Sequence, residues 1–251
     1  MHLTERVFGF LLFLLPVCCI AQGRGYSEVY ASECRDALSF WTAHKTEFEI
    51  ASESSGVPAG FLFAIVAPEI SQYGNLTDKA QTYALKTLYV QMGKGYADFS
   101  IGWFQMKPSF VEQLERYIQE ADTLLTSFPE VQMAGKEGRS ARIERVRRLE
   151  QQDWQMKYLA LFCRVVQHRF RRMKFESEQE KLRFYANAYN AGFMLDGERL
   201  RRYKGAYFPH LAKQKFRYAD VSLWFYENIP SEDLSYCKDI NLMVDSIKIV
   251  K

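Results

Sequence analysis

The chain has 251 residues, of which 48% are hydrophobic and 15% aromatic, and its formal net charge is +3. This composition excludes a mostly disordered or collagen-like chain. The length allows one large domain or two small ones, and it permits a sizeable hydrophobic core.

The N-terminal segment has the pattern of a secretory signal peptide. Arg6 lies in a short charged region, an apolar run follows from Val7 to Val17, and Ala21 ends a stretch with small side chains at the expected positions. We therefore predict export to the periplasm or the extracellular space, with cleavage after Ala21. A transmembrane anchor is the weaker alternative, because about 20 apolar residues are needed to span a bilayer. A lipid anchor on one of the two adjacent cysteines fits the usual lipoprotein signal poorly.

The cysteines of the mature chain do not form a disulfide framework. Cys34, Cys163 and Cys237 are odd in number and widely spaced. One bridge and one buried thiol are compatible with this pattern, and the pairing stays open. The histidines lack metal-ligand spacing and there is no glycine-rich phosphate loop, so we predict neither a metal nor another cofactor.

The first two predicted helices flank a glycine and a proline. Apolar side chains recur at helical spacing from Ser27 to Ser52, which predicts a long N-terminal helix. A second helix is predicted from Pro58, since proline is well tolerated in a first helical turn. Pro68 has no N–H group for the carbonyl four residues earlier, and it crowds that carbonyl. We expect this helix to kink or end at Pro68 and to leave Glu69 at the rim of a cleft.

The rest of the chain also follows helical patterns. The predicted segments are a helix over 78–92, an irregular or short-stranded segment over 96–108, a helix over 108–127, a long basic helix over 140–173 and a helix that starts in the capping box Ser177 to Glu180. Short helical pieces complete the chain. Because no repeat or low-complexity segment interrupts this pattern, we predict a single, mostly α domain.

Three short segments resemble one known family. They read GVPAGFLFAIVAPEIS, SIGWFQMKP and FYANAYNAG, in this order. Together they resemble the lytic transglycosylase domain of the lysozyme-like superfamily, in outline from Gly56 to Met194. The resemblance implies a lysozyme-like single domain over 22–251, with an N-terminal helix, a C-terminal helical extension and the long basic helix as an insertion.

The resemblance also implies roles for particular positions. Glu69 stands where the family has its catalytic glutamate, Gly102 and Gln105 match its glycine-containing loop, and Tyr189 and Asn190 match its Tyr-Asn-Ala-Gly motif. Further candidates for substrate binding lie close to these segments: Ser71, Tyr73 and Tyr185.

The chain departs from the family beside its glutamate. Pro68 precedes the glutamate, and Ile70 replaces the serine that usually follows it, with Ser71 one position later. Trp-Phe-Gln stands where Leu-Met-Gln is common, and we expect Trp103 of this segment to pack into the core. These differences mark a divergent member of the family.

The chemistry of glycan cleavage is consistent with a single glutamate. The leaving oxygen needs a proton and the sugar develops oxocarbenium-like charge. An apolar environment raises the pKa of a carboxyl from about 4.3 to about 6, so that it can hold a proton near neutrality. The resemblance implies cleavage of the β-1,4 bond between N-acetylmuramic acid and N-acetylglucosamine in peptidoglycan, where the sugar's 6-hydroxyl attacks and a 1,6-anhydro product forms. The alternative for Glu69 is an ordinary glutamate at a helix end, paired with an arginine.

Two other functions stay open. Asp98 lies in the same loop as Gln105, and a second carboxylate there would allow a hydrolytic, lysozyme-type muramidase that activates water. Asp98 has a plainer interpretation too, as a residue that caps a turn. The other alternative is a non-catalytic peptidoglycan-binding or scaffold protein that kept the fold.

Basic residues cluster in the second half of the chain. Their simplest interpretation is a solvated face, with affinity for an anionic membrane or wall surface as the functional alternative. Nucleic acid is an improbable partner for an exported protein, so peptidoglycan glycan strands are the partner that we predict. The basic residues are Arg142, Arg145, Arg147, Arg148, Arg164, Arg169, Arg171, Arg172, Lys174, Arg199, Arg201, Arg202 and Lys204.

Overall fold

The computed structural model describes residues 25–75, 79–133, 135–210 and 212–230. The predicted signal peptide and Cys237 lie outside these residues. The fold within them is mostly helical, as predicted. Its elements are α1 Tyr26–Val29, α2 Ala31–Ser55, α3 Ala59–Gln72, α4 Lys79–Met92, α5 Pro108–Gln119, α6 Asp122–Ser127, α7 Gly138–Leu149, α8 Gln152–Arg169, α9 Glu178–Ala191, α10 Gly197–Arg201, β1 Ala206–Phe208, β2 Phe216–Arg217 and α11 Tyr218–Asn228. Strands β1 and β2 pair antiparallel, and the sequence analysis did not foresee them.

Helix α3 lies at the centre of the core. Its residues from Gly60 to Pro68 are all buried, and it packs against α2, α9 and α11. A helix that is apolar on every side is stable only when other elements surround it. The apolar sequence of α3 therefore reflects burial on all sides rather than one amphipathic face.

Helix α3 continues past its proline. It extends through Pro68 to Gln72, so the predicted end of the helix at Pro68 is wrong. Other donors stabilise the backbone around the proline: the Tyr218 hydroxyl donates to the carbonyl of Ile65 at 2.9 Å, and the Ser71 hydroxyl donates to the carbonyl of Pro68 at 2.6 Å. Packing thus outweighs the local cost of a proline in a helix.

Two predicted helices are each divided in the structure. The helix expected over 108–127 breaks between α5 and α6, and the basic helix expected over 140–173 breaks between α7 and α8. At the second break the Gln155 side chain donates to the carbonyl of Leu149 at 2.7 Å. A side chain of α8 therefore bonds to the end of α7 where the chain changes direction, and the long basic helix that was predicted is a pair of helices.

Several arginines of α7 are buried in ion pairs. Arg145 contacts Glu115 at 2.6 Å, and Arg148 contacts Glu144 at 3.0 Å. Both guanidinium groups are almost fully buried, so the interpretation of α7 as a solvated basic face is wrong for them. We call the residues that bond to one another here the arginine network: Tyr89, Glu112, Glu115, Glu144, Arg145, Arg148 and Tyr158.

Cys34 and Cys163 are both buried, free thiols. Burial raises the pKa of Cys34 to about 12 and raises the pKa of Cys163 as well. A bridge between these two cysteines is therefore absent from the structure.

Among the described helices, none is both long and apolar enough to cross a membrane alone. Only α2 and α3 taken together, with a bend of 115° between them, meet that criterion of length and composition.

Candidate functional site

The candidate site is built around Glu69, in the last turn of α3. This residue is partly exposed, whereas Pro68 and Ile70 on either side of it are buried. The surrounding protein removes water from the carboxyl and raises its pKa to about 8, although the positive charge of Lys107 opposes the shift. Within the described residues, the carboxyl makes no hydrogen bond and no ion pair. Glu69 is therefore not the arginine-paired glutamate of the plainer interpretation, and its raised pKa favours the protonated carboxyl at neutral pH.

Two buried tyrosines form part of the low-polarity environment of Glu69. Burial raises the pKa of Tyr189 and of Tyr218, and the negative charge of Glu69 adds to both shifts. Their hydroxyls donate to backbone carbonyls, Tyr189 to Phe104 at 2.6 Å and Tyr218 to Ile65 at 2.9 Å. Tyr218 was missed by the sequence analysis, because no motif marks its position in α11.

A tight turn between Ile101 and Met106 carries Gly102 and Gln105. The two end residues exchange backbone hydrogen bonds of 3.0 and 3.1 Å, which agrees with the irregular or short-stranded segment predicted here. Gly102 and Gln105 have φ angles of +73° and +48°. A positive φ is uncommon for a residue with a side chain, and such strain often occurs at functional sites. The Gln105 amide donates to the Gly102 carbonyl at 2.7 Å.

The peptide groups of Phe104 attach this turn to two helices. Its N–H donates to the Gln155 side chain of α8 at 2.9 Å, and its carbonyl accepts from Tyr189 of α9. The structure thereby brings the second and third segments of the family resemblance into contact. Gln155 was also missed, since a single glutamine in a helical pattern carries no signal of its own.

Asn190 lies in the last turn of α9 and is partly exposed. Its side chain makes no hydrogen bond to any described residue. By contrast, the buried Asn187 one turn earlier donates to the carbonyl of Leu200 at 2.9 Å. The Asn190 amide is thus open to a ligand, whereas that of Asn187 stabilises the fold.

Besides Tyr189, a predicted binding residue that is buried with its hydroxyl bonded to Phe104, two further predicted binding residues are engaged inside the protein. The Ser71 hydroxyl, 3% exposed, donates to Pro68 and lies 2.6 Å from the Tyr26 hydroxyl. The Tyr185 ring, 2% exposed, packs edge-on against Phe61 with ring centres 5.3 Å apart. Neither side chain is open to a sugar in this conformation.

Tyr73 and Trp103, which we call the aromatic pair, lie near Glu69. Their ring centres are 4.0 Å apart and their planes differ by 31°. Trp103 packs against the buried Phe40 with ring centres 5.0 Å apart, but it is 36% exposed, so the expectation that it packs into the core holds for only part of the ring. Tyr73 follows Glu69 by four residues in continuing helical geometry, and residues spaced in this way lie on the same helix face. Tyr73 of the aromatic pair therefore lies on the same helix face as Glu69.

Asp98 is exposed and binds the start of α5. Its two oxygens accept hydrogen bonds from the Ser109 N–H at 3.2 Å and the Ser109 hydroxyl at 2.8 Å. A carboxylate at a helix N-terminus satisfies an otherwise unpaired donor and interacts favourably with the helix dipole. This is close to the plainer interpretation of Asp98, although it caps a helix from a distance rather than its own turn.

A groove of about 600 Å³ lies between the end of α8 and the start of α9, at the opposite end of α9 from Asn190. Its lining includes Phe170, Arg171, Lys181 and Tyr185. It does not include Glu69. Among the described residues, no group of three or more His, Cys, Asp or Glu side chains is arranged to hold a metal ion.

No protein-family model, no curated protein and no solved structure matches this chain. The interpretation of the site accordingly depends on its own geometry and chemistry.

Proposed function

We propose that the protein is an exported enzyme that cleaves the β-1,4 bond between N-acetylmuramic acid and N-acetylglucosamine in peptidoglycan, without hydrolysis. The observation that carries this proposal is the unpaired carboxyl of Glu69, whose pKa is raised to about 8 by burial. A carboxyl that is protonated at neutral pH and reachable from solvent is what protonation of a glycosidic oxygen requires.

Glu69 acts first as an acid and then as a base. Its proton passes to the bridging oxygen while the bond from that oxygen to the sugar's C1 breaks. The same carboxylate then takes the proton of the 6-hydroxyl as O6 bonds to C1, which gives the 1,6-anhydro product and returns Glu69 to its protonated form. This route needs neither a second carboxylate nor a water nucleophile.

Polar and aromatic side chains around Glu69 bind the glycan in this proposal. The Asn190 amide and the Gln105 side-chain oxygen are open to the N-acetyl and hydroxyl groups of the sugar. The aromatic pair offers an apolar surface to the C–H face of a pyranose ring. Exposed cations beyond the end of α8, among them Arg171, Arg172 and Lys174, are the part of the predicted basic surface that remains available to an anionic wall or membrane.

Hydrolysis with Asp98 as the helper is the less favoured chemistry. Both oxygens of this carboxylate accept hydrogen bonds from Ser109, so activation of water would require Asp98 to leave the start of α5. The proposed export depends on the N-terminal signal pattern described above.

The test is mass spectrometry of purified peptidoglycan after incubation with the mature protein and, in parallel, with Glu69→Gln. We expect anhydro-muropeptides from the wild type alone, one water lighter than hydrolytic products. Reducing-end products would replace the proposal with a muramidase. Binding without any product, on several types of wall, would identify a scaffold protein instead.

A further inference from the structure

We propose that Gln155 is the positioning residue of the candidate site, because it fixes the turn that carries Gln105 and that Tyr189 attaches to α9. Gln155 is 1% exposed and uses both ends of its amide. The oxygen accepts from the Phe104 N–H at 2.9 Å, and the nitrogen donates to the Leu149 carbonyl at 2.7 Å. The side chain thus joins the break between α7 and α8 to the turn of the site.

Gly102 leaves room for this side chain. A Cβ atom built on Gly102 would lie 1.7 Å from the Gln155 side-chain nitrogen, far inside van der Waals contact. The φ angle of +73° at this glycine also disfavours any larger residue. The Gln155 side chain therefore fills the space beside Gly102. A larger residue at position 102 would collide with it.

The hydrogen bonds determine the orientation of the turn, whereas an aromatic ring determines its attachment. The Phe104 ring is fully buried and packs against Phe48, with ring centres 5.9 Å apart. This anchor persists when Gln155 is replaced. Replacement of Gln155 removes the hydrogen bond of the Phe104 N–H. The bond from Tyr189 to the Phe104 carbonyl stays. The strained backbone of Gln105 is then free to relax, and more water reaches the carboxyl of Glu69.

The main test uses Gln155→Met, a side chain of similar length without hydrogen-bonding groups. Its control is Val165→Ala, a fully buried position in the same helix, about 15 Å further along the axis at 1.5 Å per residue. We expect kcat on peptidoglycan to fall by about tenfold or more in Gln155→Met, with KM changed less. In Val165→Ala we expect stability to fall while kcat is kept. Loss of activity in proportion to stability in both variants would overturn the proposal.

A second measurement does not depend on turnover. It is therefore also independent of the proposed function, on which the expected fall in kcat rests. Carbon-13 NMR of the glutamate carboxyls reports the pKa of Glu69, which we expect to move toward its ordinary value in Gln155→Met and to stay raised in Val165→Ala. If the wild type does not cleave peptidoglycan, the proposed function fails, yet this titration still tests Gln155. An unchanged Glu69 pKa in Gln155→Met would contradict the positioning role.

Gly102→Ala tests the fit between the turn and Gln155 directly. Alone it should lower the melting temperature strongly, because the new methyl group collides with Gln155. In a Gln155→Ala background the collision disappears, so Gly102→Ala should lower the melting temperature much less. Equal shifts in the two backgrounds would rule out this steric coupling.

Discussion

Glu69 and Glu115, two glutamates whose pKa is raised by burial, lie in contrasting surroundings. Glu115, in the arginine network, accepts hydrogen bonds from Arg145 at 2.6 and 3.0 Å and from Tyr158 at 2.9 Å. Burial raises its pKa and the charge of Arg145 opposes that shift. Glu69 is desolvated too, but the opposing charge of Lys107 comes without an ion pair within the described residues. The cost of desolvation is offset by hydrogen-bonded partners at Glu115, whereas at Glu69 it favours the protonated carboxyl that the proposed reaction requires.

The largest expected effect on stability comes from Arg145→Met. This change leaves the Glu115 charge buried without its partner, which typically costs about 3–5 kcal/mol in the free energy of unfolding. Urea denaturation at pH 7 measures it. Arg147→Met is the matched control, because Arg147 pairs with Glu144 from an exposed position, and its effect should be much smaller. Equal losses of unfolding free energy in the two variants would show that burial of the arginine network does not increase the effect of removing an arginine from it.

Glu69→Gln should change the pH dependence of stability. The folded state keeps the Glu69 proton up to about pH 8, whereas the unfolded chain releases it near pH 4.5. The free energy of unfolding therefore includes a contribution that is complete below pH 4.5 and is lost as the pH rises to 8, at up to about 1.4 kcal/mol per pH unit. Urea titrations at pH 5, 6, 7 and 8 should show this slope in the wild type and not in Glu69→Gln.

Glu115→Gln sharpens the contrast between the two sites. Glu115→Gln removes the negative charge that pairs with Arg145, so it should lower the free energy of unfolding at neutral pH. At the same pH, Glu69→Gln should raise the free energy of unfolding relative to the wild type. If both variants were destabilised to the same extent at pH 8, the two carboxyls would not differ as proposed.

The smallest expected effect concerns the aromatic pair. Trp103→Leu removes one ring of the stack, and the binding free energy for a sugar should weaken by about 1 kcal/mol, typical of an aromatic contact. Calorimetry with an N-acetylglucosamine tetramer, on a Glu69→Gln background that prevents turnover, measures the change. Trp224→Leu is the control, since Trp224 packs against Phe225 with ring centres 5.0 Å apart. Identical losses from both substitutions would exclude a specific stacking role.

Local signals in the sequence predicted much of the helical framework. Ser177 accepts from the Glu180 N–H at 3.1 Å, so the capping signal correctly placed the start of α9. The helix does not end at Pro68, one of the two outcomes predicted there, because the environment of α3 supplies donors that a local rule does not include. Gln155 and Tyr218 could not be found for a related reason: each acts on a residue far along the chain, and periodicity carries no information about such contacts.

The bond between Tyr218 and Ile65 joins residues 153 positions apart. Contacts of such long range form only when most of the chain has come together, and they slow folding relative to local ones. In the unfolded chain Glu69 is an ordinary glutamate that is ionised at neutral pH, without the proton that the proposed reaction needs. The raised pKa of Glu69 is thus a property of the folded protein, and the acid that we propose would exist only after the distant parts of the chain have come together.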